Sequence, residues 1–168
     1  MTGSNAEHRL ELVAFEIQFA SAILAWAQHA DDALAWANLA EPPRDPSIFS
    51  TWHQQPGVRP YVLLDGGAAV AYGEIWQEPG GDEIELARII VAPARRGRGI
   101  GRLLVEHLLA QSEGSKSAAF VRVRPGNLAA LACYRRAGFA PVSSAAASLY
   151  NVGQPVEYVW LSHQLSPT

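Results

Sequence analysis

The chain has little with which to cross-link itself or hold a metal. Its one cysteine, Cys133, cannot form an intramolecular disulfide, which fits a reducing compartment, and its five histidines show no zinc-type spacing. Long apolar runs are missing as well. The longest candidate, Ile17 to Ala30, is shorter than a bilayer span and is interrupted by Gln18, Ser21, Gln28 and His29, so no transmembrane helix is expected. Residues 1–12 carry Glu7 and Glu11 instead of a basic stretch followed by an apolar one, so they do not read as a secretory leader, and a cytoplasmic location is expected. A general basic excess is absent: the net charge of −3 argues against a broad nucleic-acid surface.

What is present describes one folded domain over residues 1–168, with 1–7 a flexible tail. Hydrophobic residues make up 49% and charged residues 17% of the 168, enough for an ordinary core. The basic residues gather around 95–102 and 122–136, which suggests one site built from two segments.

Arg9 to Phe15 is compatible with a first strand, and Gln18 to Gln28 puts Phe19, Ile23 and Trp26 near one helical face. Asp31 or Asp32 is expected to cap a short helix through Trp36, and Asp45-Pro46 to open another through about His53. Tyr61 to Leu64 and Ala68 to Trp76, joined by Asp65-Gly66-Gly67, read as a hairpin, and Glu83 to Val91 as a third antiparallel strand. Ala118 to Val123 reads as a strand, Asn127 begins a helix that Gly138 ends, and Leu149 to Val152 with Val156 to Leu161 suggests a final hairpin.

The most informative stretch follows the third of these strands. Arg95-Arg96-Gly97-Arg98-Gly99-Ile100-Gly101-Arg102 leads into apolar residues at 100, 103, 104 and 108, the period of a helix with Gly114 as a plausible stop. A helix start offers unpaired N–H groups and the positive end of the macrodipole, while glycines allow positive φ and close approach of a phosphate. A pyrophosphate is the sensible ligand. No Lys-Ser or Lys-Thr follows these glycines, which excludes the nucleotide P-loop, and Arg102 stands where a dinucleotide fingerprint needs its third glycine.

What remains, Arg96-x-x-Gly99-x-Gly101 after a strand ending Val91-Ala92-Pro93, resembles the acetyl-CoA loop of the GNAT superfamily of N-acetyltransferases. A second segment, Asn127-x-x-Ala130-x-x-Cys133-Tyr134-x-x-x-Gly138-Phe139, matches that family's Asn-x-x-Ala-x-x-(apolar)-Tyr-x-x-x-Gly-Phe pattern, with Cys133 in a slot usually held by a larger side chain. The resemblance is specific over residues 84–139. It implies an α/β (α+β) single-domain fold: a mixed, mostly antiparallel sheet of six to seven strands whose central parallel strands splay apart, flanked by about four helices.

The resemblance also implies an enzyme that moves an acetyl group from acetyl-CoA directly to a primary amine of a small molecule or a peptide N-terminus, with no metal, as a monomer or homodimer without nucleic-acid or membrane partners. The pantetheine arm would lie along Ile89, Ile90 and Val91, and the phosphates at Arg96, Gly97, Arg98, Gly99, Ile100, Gly101 and Arg102, with Asn127 and Ala130 beside them. Tyr134 corresponds to the family tyrosine that protonates the departing thiolate, and also borders the cosubstrate. Glu85, eleven positions before Arg96, stands where some members carry the glutamate that deprotonates the amine; by strand alternation it shares a face with Ala87, Ile89 and Val91 unless a bulge intervenes. Glu74 and Glu83 are rivals for that role. Trp26, Trp36, Phe49 and Trp52 are core candidates, one or two of which could wall the acceptor site. A GNAT-like module that binds acyl-CoA without turnover, and an unrelated phosphate-binding protein, are the alternatives; Tyr134 disfavours the first and the failed spacings the second.

Overall fold

A computed structural model describes residues 9–166. The expected tail at 1–7 lies outside the described residues. Seven strands form one sheet in the order β1-β2-β3-β4-β5-β7-β6. These are β1 Leu10–Ala14, β2 Val58–Asp65, β3 Ala68–Trp76, β4 Glu83–Val91, β5 Ala118–Val123, β6 Ala140–Pro141 and β7 Val159–Gln164. Every pairing is antiparallel except β4 with β5.

That parallel pair is short. Glu83, Ile84 and Glu85 face Ala118, Ala119 and Phe120, and the strands then separate. From Leu86 onward β4 therefore has no strand on its β5 side, and a wedge opens between the two. The splay expected from the resemblance is present.

Six α-helices cover the sheet among the described residues, more than the four or so expected: α1 Ala20–Trp26, α2 Ala30–Ala37, α3 Ser47–His53, α4 Ile100–Ala110, α5 Leu128–Arg136 and α6 Ser144–Tyr150. On one face α4 buries Leu104, Val105 and Leu108 against Ile84, Leu86 and Val121, and α5 adds Tyr134. Each such aliphatic side chain removed from water contributes about 1.5–3 kcal/mol before entropy is counted. On the other face Ile23, Trp36, Phe49 and Trp52 from the first three helices pack on Val62, Tyr72 and Ile90. The two cores are separate, and the wedge lies between them.

Three local expectations are corrected. The final hairpin does not form: Ser143 Oγ accepts from the Ala146 N–H at 3.2 Å and caps α6, and β7 pairs with β5 and β6 instead. The alanine-rich run Ser144 to Leu149 has high helix propensity but little apolar periodicity, so it escapes a pattern search. The α4 helix ends at Ala110 rather than at Gly114. The N-cap of α2 is His29, with Asp32 reaching back to accept from the N–H groups of His29 at 3.1 Å and Gln28 at 3.0 Å.

Candidate active site

The glycine loop has the conformation that its composition demands. Gly97 and Gly99 have φ of 71° and 80°, and a Cβ placed on either would meet no protein atom within 4 Å. The space over the loop is open to a ligand. Among the described residues no backbone acceptor lies within hydrogen-bond geometry of the N–H groups of Gly97 to Arg102; the first intrahelical bond of α4 runs from Leu103 to Gly99 at 3.1 Å. Gly101 serves a different purpose, because its Cβ would meet Cys133 Sγ at 3.3 Å, so a small residue at both positions lets α4 and α5 approach.

The arginines of the loop are mostly engaged. Arg96 donates from Nε to the Val91 carbonyl at 3.1 Å, from one terminal nitrogen to Asp32 at 3.0 Å and from the other to the Trp26 carbonyl at 3.0 Å. It ties the end of β4 to α1 and α2, and so fixes the loop from outside. Arg95 pairs with Asp65 at 2.7 Å and Arg102 with Glu106 at 2.6 Å, while Arg98 is exposed and makes no ion pair among the described residues.

From this loop a cleft of about 940 Å³ runs into the wedge. Its floor is β4 from Glu85 to Val91, with Ile89, Ile90 and Val91 all lining it, and one wall is α5, with Asn127, Ala130, Cys133 and Tyr134. Asn127 caps α5, its side-chain oxygen accepting from the Ala130 N–H at 3.2 Å. The opposite wall comes from the second half of α2 and from Gln154, Pro155 and Tyr158.

Tyr134 reaches the wedge from the α5 side. Its ring is buried edge-on against Phe139, with centroids 5.8 Å apart, yet its hydroxyl bonds to no protein group among the described residues and is not one of the sequestered polar atoms. The oxygen therefore opens to the cleft. Burial first, then the neighbouring Cys133 and Glu85, holds its pKa above the usual phenol value, so the group remains a proton donor. Burial likewise raises the Cys133 thiol, which is no ready nucleophile.

Glu85 reaches the same cleft from the opposite face of the sheet. Its carboxylate is held by Arg122, with Nε to Oε1 at 2.5 Å and Nη2 to Oε2 at 2.9 Å. Burial raises its pKa, and the Arg122 hydrogen bonds and charge oppose that rise without cancelling it. The other two glutamates are placed elsewhere. Glu74 is fully buried and accepts from Tyr72, from Trp76 at 2.5 Å and from Arg88 at 2.9 Å, and Glu83 is exposed at the far end of β4.

A bulge does intervene in β4. The β3 partners shift between Tyr72 and Glu74, and Arg88 has φ 45°, an uncommon conformation for a residue with a Cβ. In consequence Ile89 and Val91 pack on the same core as Leu86, while Ile90 turns to the other face. Glu85 thus shares its face with Ala87 and Ile90, not with Ile89 and Val91.

The bulge is held on three sides. The Trp36 indole N–H donates to the Arg88 carbonyl at 3.0 Å, Glu74 binds the guanidinium, and its central carbon lies 4.2 Å from the Trp52 ring and 4.9 Å from that of Trp76. His53, its pKa lowered chiefly by burial, completes this cluster through Tyr72 Oη at 2.9 Å. Of the four aromatics flagged from sequence, Trp36 alone lines the cleft, and Trp26, Phe49 and Trp52 are core.

Trp76, Arg88 and Tyr158 line the cleft without having been singled out from sequence, and Arg122 and Arg124 were anticipated only as members of the basic cluster at 122–136. A signal existed for three of them: arginines in mid-strand or at a strand end, flanked by valine, isoleucine and alanine, need a partner or a ligand.

Comparison with known proteins agrees with this geometry. Residues 21–139 match the family described as Acetyltransferase (GNAT) family. The N-alpha-acetyltransferase RimI of Mycobacterium tuberculosis is 34% identical over 115 residues, covering 67% of this chain and 72% of that protein. Among solved structures, the ribosomal-protein-S18-alanine N-acetyltransferase of Escherichia coli superposes with a TM-score of 0.67 at 22% identity over 95% of this chain and 96% of that one. The spermidine N-acetyltransferase of Vibrio cholerae, crystallised with CoA and spermine, superposes with a TM-score of 0.68 at 20% identity over 80% and 82%. The chain belongs to the acetyltransferase (GNAT) family and is an acetyl-CoA-dependent N-acetyltransferase.

Proposed function

We propose that the chain acetylates the α-amine of a peptide N-terminus, with Tyr134 as general acid and Glu85 as the group that receives the amine proton. The observation that carries this reading is the arrival of the Tyr134 hydroxyl and the Glu85 carboxylate in one cleft from opposite faces of the sheet, at the point where β4 and β5 part. The N-terminal acceptor is favoured over other small amines by the 34% identical relative, whose name is that of an N-alpha-acetyltransferase.

Acetyl-CoA supplies an activated thioester. The residues fit it: open N–H groups from Gly97 to Arg102 and open space over Gly97 and Gly99 suit a pyrophosphate, and the unpaired side of β4 at Ile89 to Val91 suits an amide-bearing arm. In the transfer, the amine nitrogen bonds to the acetyl carbon and the carbon–sulfur bond breaks. The amine must first lose a proton, which Glu85 takes directly or through water, its raised pKa making it a better acceptor than an ordinary carboxylate. Tyr134 gives its hydroxyl proton to the leaving sulfur and regains one through solvent. Held on its ring by Phe139 and the α5 turn, it needs no rearrangement to do so.

The test is thiol release from acetyl-CoA with short peptides bearing free or blocked N-termini, alongside spermidine and an aminoglycoside. Release above the acceptor-free background with a free N-terminus, and none with its blocked counterpart, is expected. Release with the polyamine or aminoglycoside alone would move the acceptor to another class.

A further inference from the structure

The arginines that line the cleft are not equivalent. Arg88, Arg95, Arg96, Arg102 and Arg122 each have a carboxylate partner within 3.0 Å. Arg136 has none but is exposed at the end of α5, where water solvates it. Arg124 is the exception: partly buried, and bonded through one terminal nitrogen to the neutral side-chain oxygen of Asn38. Its Nε is one of two buried side-chain polar atoms without a partner among the described residues. A guanidinium has five donors, and sheltering one without a counter-charge is costly unless an anion arrives.

The position of Arg124 assigns that anion to the acceptor side of the cleft. Asn38, the left-handed C-cap of α2, stands six residues from Asp32, the anchor of Arg96 at the glycine loop, which is about 9 Å along a helix axis. Arg124 and Arg122 flank one ring: their central carbons lie 5.9 and 5.8 Å from the Tyr158 centroid, so they are no further apart than those distances laid end to end. Arg122 in turn grips Glu85. An acceptor whose amine approaches Glu85 therefore has Arg124 within reach of a group a few bonds away.

We propose that Arg124 is an acceptor-reading cation that takes a carboxylate carried by the same molecule as the amine, so that the preferred acceptors are N-termini with an aspartate or glutamate in the first two residues. The assignment rests on the peptide reading given above. The same arrangement disfavours a polycation, because Arg122 and Arg124 both stand on the acceptor side and the carboxylate there, Glu85, is already paired.

The test uses C-terminally amidated tripeptides, so that the side chain is the sole carboxylate: Asp-Ala-Ala against Asn-Ala-Ala, and Ala-Asp-Ala against Ala-Asn-Ala. The expected result is a kcat/KM ratio of about tenfold or more for one Asp/Asn pair, the scale of one charge-assisted hydrogen bond. In Arg124→Gln that ratio falls toward one, carried by KM, and Arg124→Lys retains part of it, while acetyl-CoA affinity by calorimetry matches the parent in both variants. A ratio of one in the parent, an unchanged ratio in Arg124→Gln, or loss of acetyl-CoA affinity would overturn the assignment while leaving N-terminal acetylation intact. Acetylation of spermidine with none of the four peptides would overturn both.

Discussion

Glu85 and Arg122 form a two-point ion pair at the last position where β4 and β5 are still bonded, with nitrogen–oxygen distances of 2.5 and 2.9 Å. One step further along, the strands have parted and the cleft begins. The pair thus fixes a carboxylate at the apex of the wedge, and Arg122 is itself held by Gln154 at 3.1 Å and by the ring of Trp160.

This pairing makes the pH profile informative. Burial raises the Glu85 pKa and Arg122 lowers it, so below the raised value Glu85 is protonated and cannot accept from the amine. Activity is expected to fall on the acid side at a pH above the ordinary carboxylate range. In Arg122→Gln the lowering influence is gone, and the acid limb of kcat/KM moves to still higher pH. In Glu85→Gln turnover falls at neutral pH and recovers as the amine loses its own proton. Profiles identical to the parent in both variants would remove Glu85 from proton transfer.

The glycine loop makes a prediction about binding. Gly99 has φ 80° and open space above it, so a side chain there both strains the backbone and occupies the ligand's place. Gly99→Val should weaken acetyl-CoA binding by an order of magnitude or more, about 1.4 kcal/mol per tenfold. Calorimetry on the folded fraction decides it, and parental affinity in a folded variant would place the phosphates elsewhere.

The buried cluster under β4 predicts a stability effect. Glu74→Leu leaves the Arg88 guanidinium without its carboxylate between Trp52 and Trp76 and should cost about 3–5 kcal/mol in urea denaturation, with Arg88→Met in the same chain recovering part of it. A Glu74→Leu protein within about 1 kcal/mol of the parent would show the pair to be dispensable.

The sequence made the glycine loop, β4, β5 and the Asn127 helix legible because their signals are local: a glycine that must adopt positive φ, a proline that stops a strand, an asparagine that caps a helix. Asn127 caps α5 and Tyr134 lies on it, and both line the cleft. The bulge at Arg88 was not legible, since nothing in Leu86-Ala87-Arg88-Ile89-Ile90 marks an arginine as the residue that will take φ 45°. What holds it comes from Trp36 and Glu74, 52 and 14 residues away in sequence. Arg122 and Arg124 were visible as charges but not as partners, because their contacts with Glu85 and Asn38 depend on how far β4 and β5 diverge.

The central claim is that Tyr134 supplies the proton that the leaving sulfur needs. Tyr134→Phe keeps the ring and its contact with Phe139, so fold and acetyl-CoA affinity should stay close to the parent. The deciding measurement is the single-turnover rate of acetyl transfer to one accepted peptide at saturating acetyl-CoA, in parent and Tyr134→Phe. A fall of about tenfold to a thousandfold in that rate is predicted, at or below the usual range for acid catalysis because a thiolate leaves more readily than an alkoxide. Equal rates would contradict the account and leave Tyr134 a packing residue.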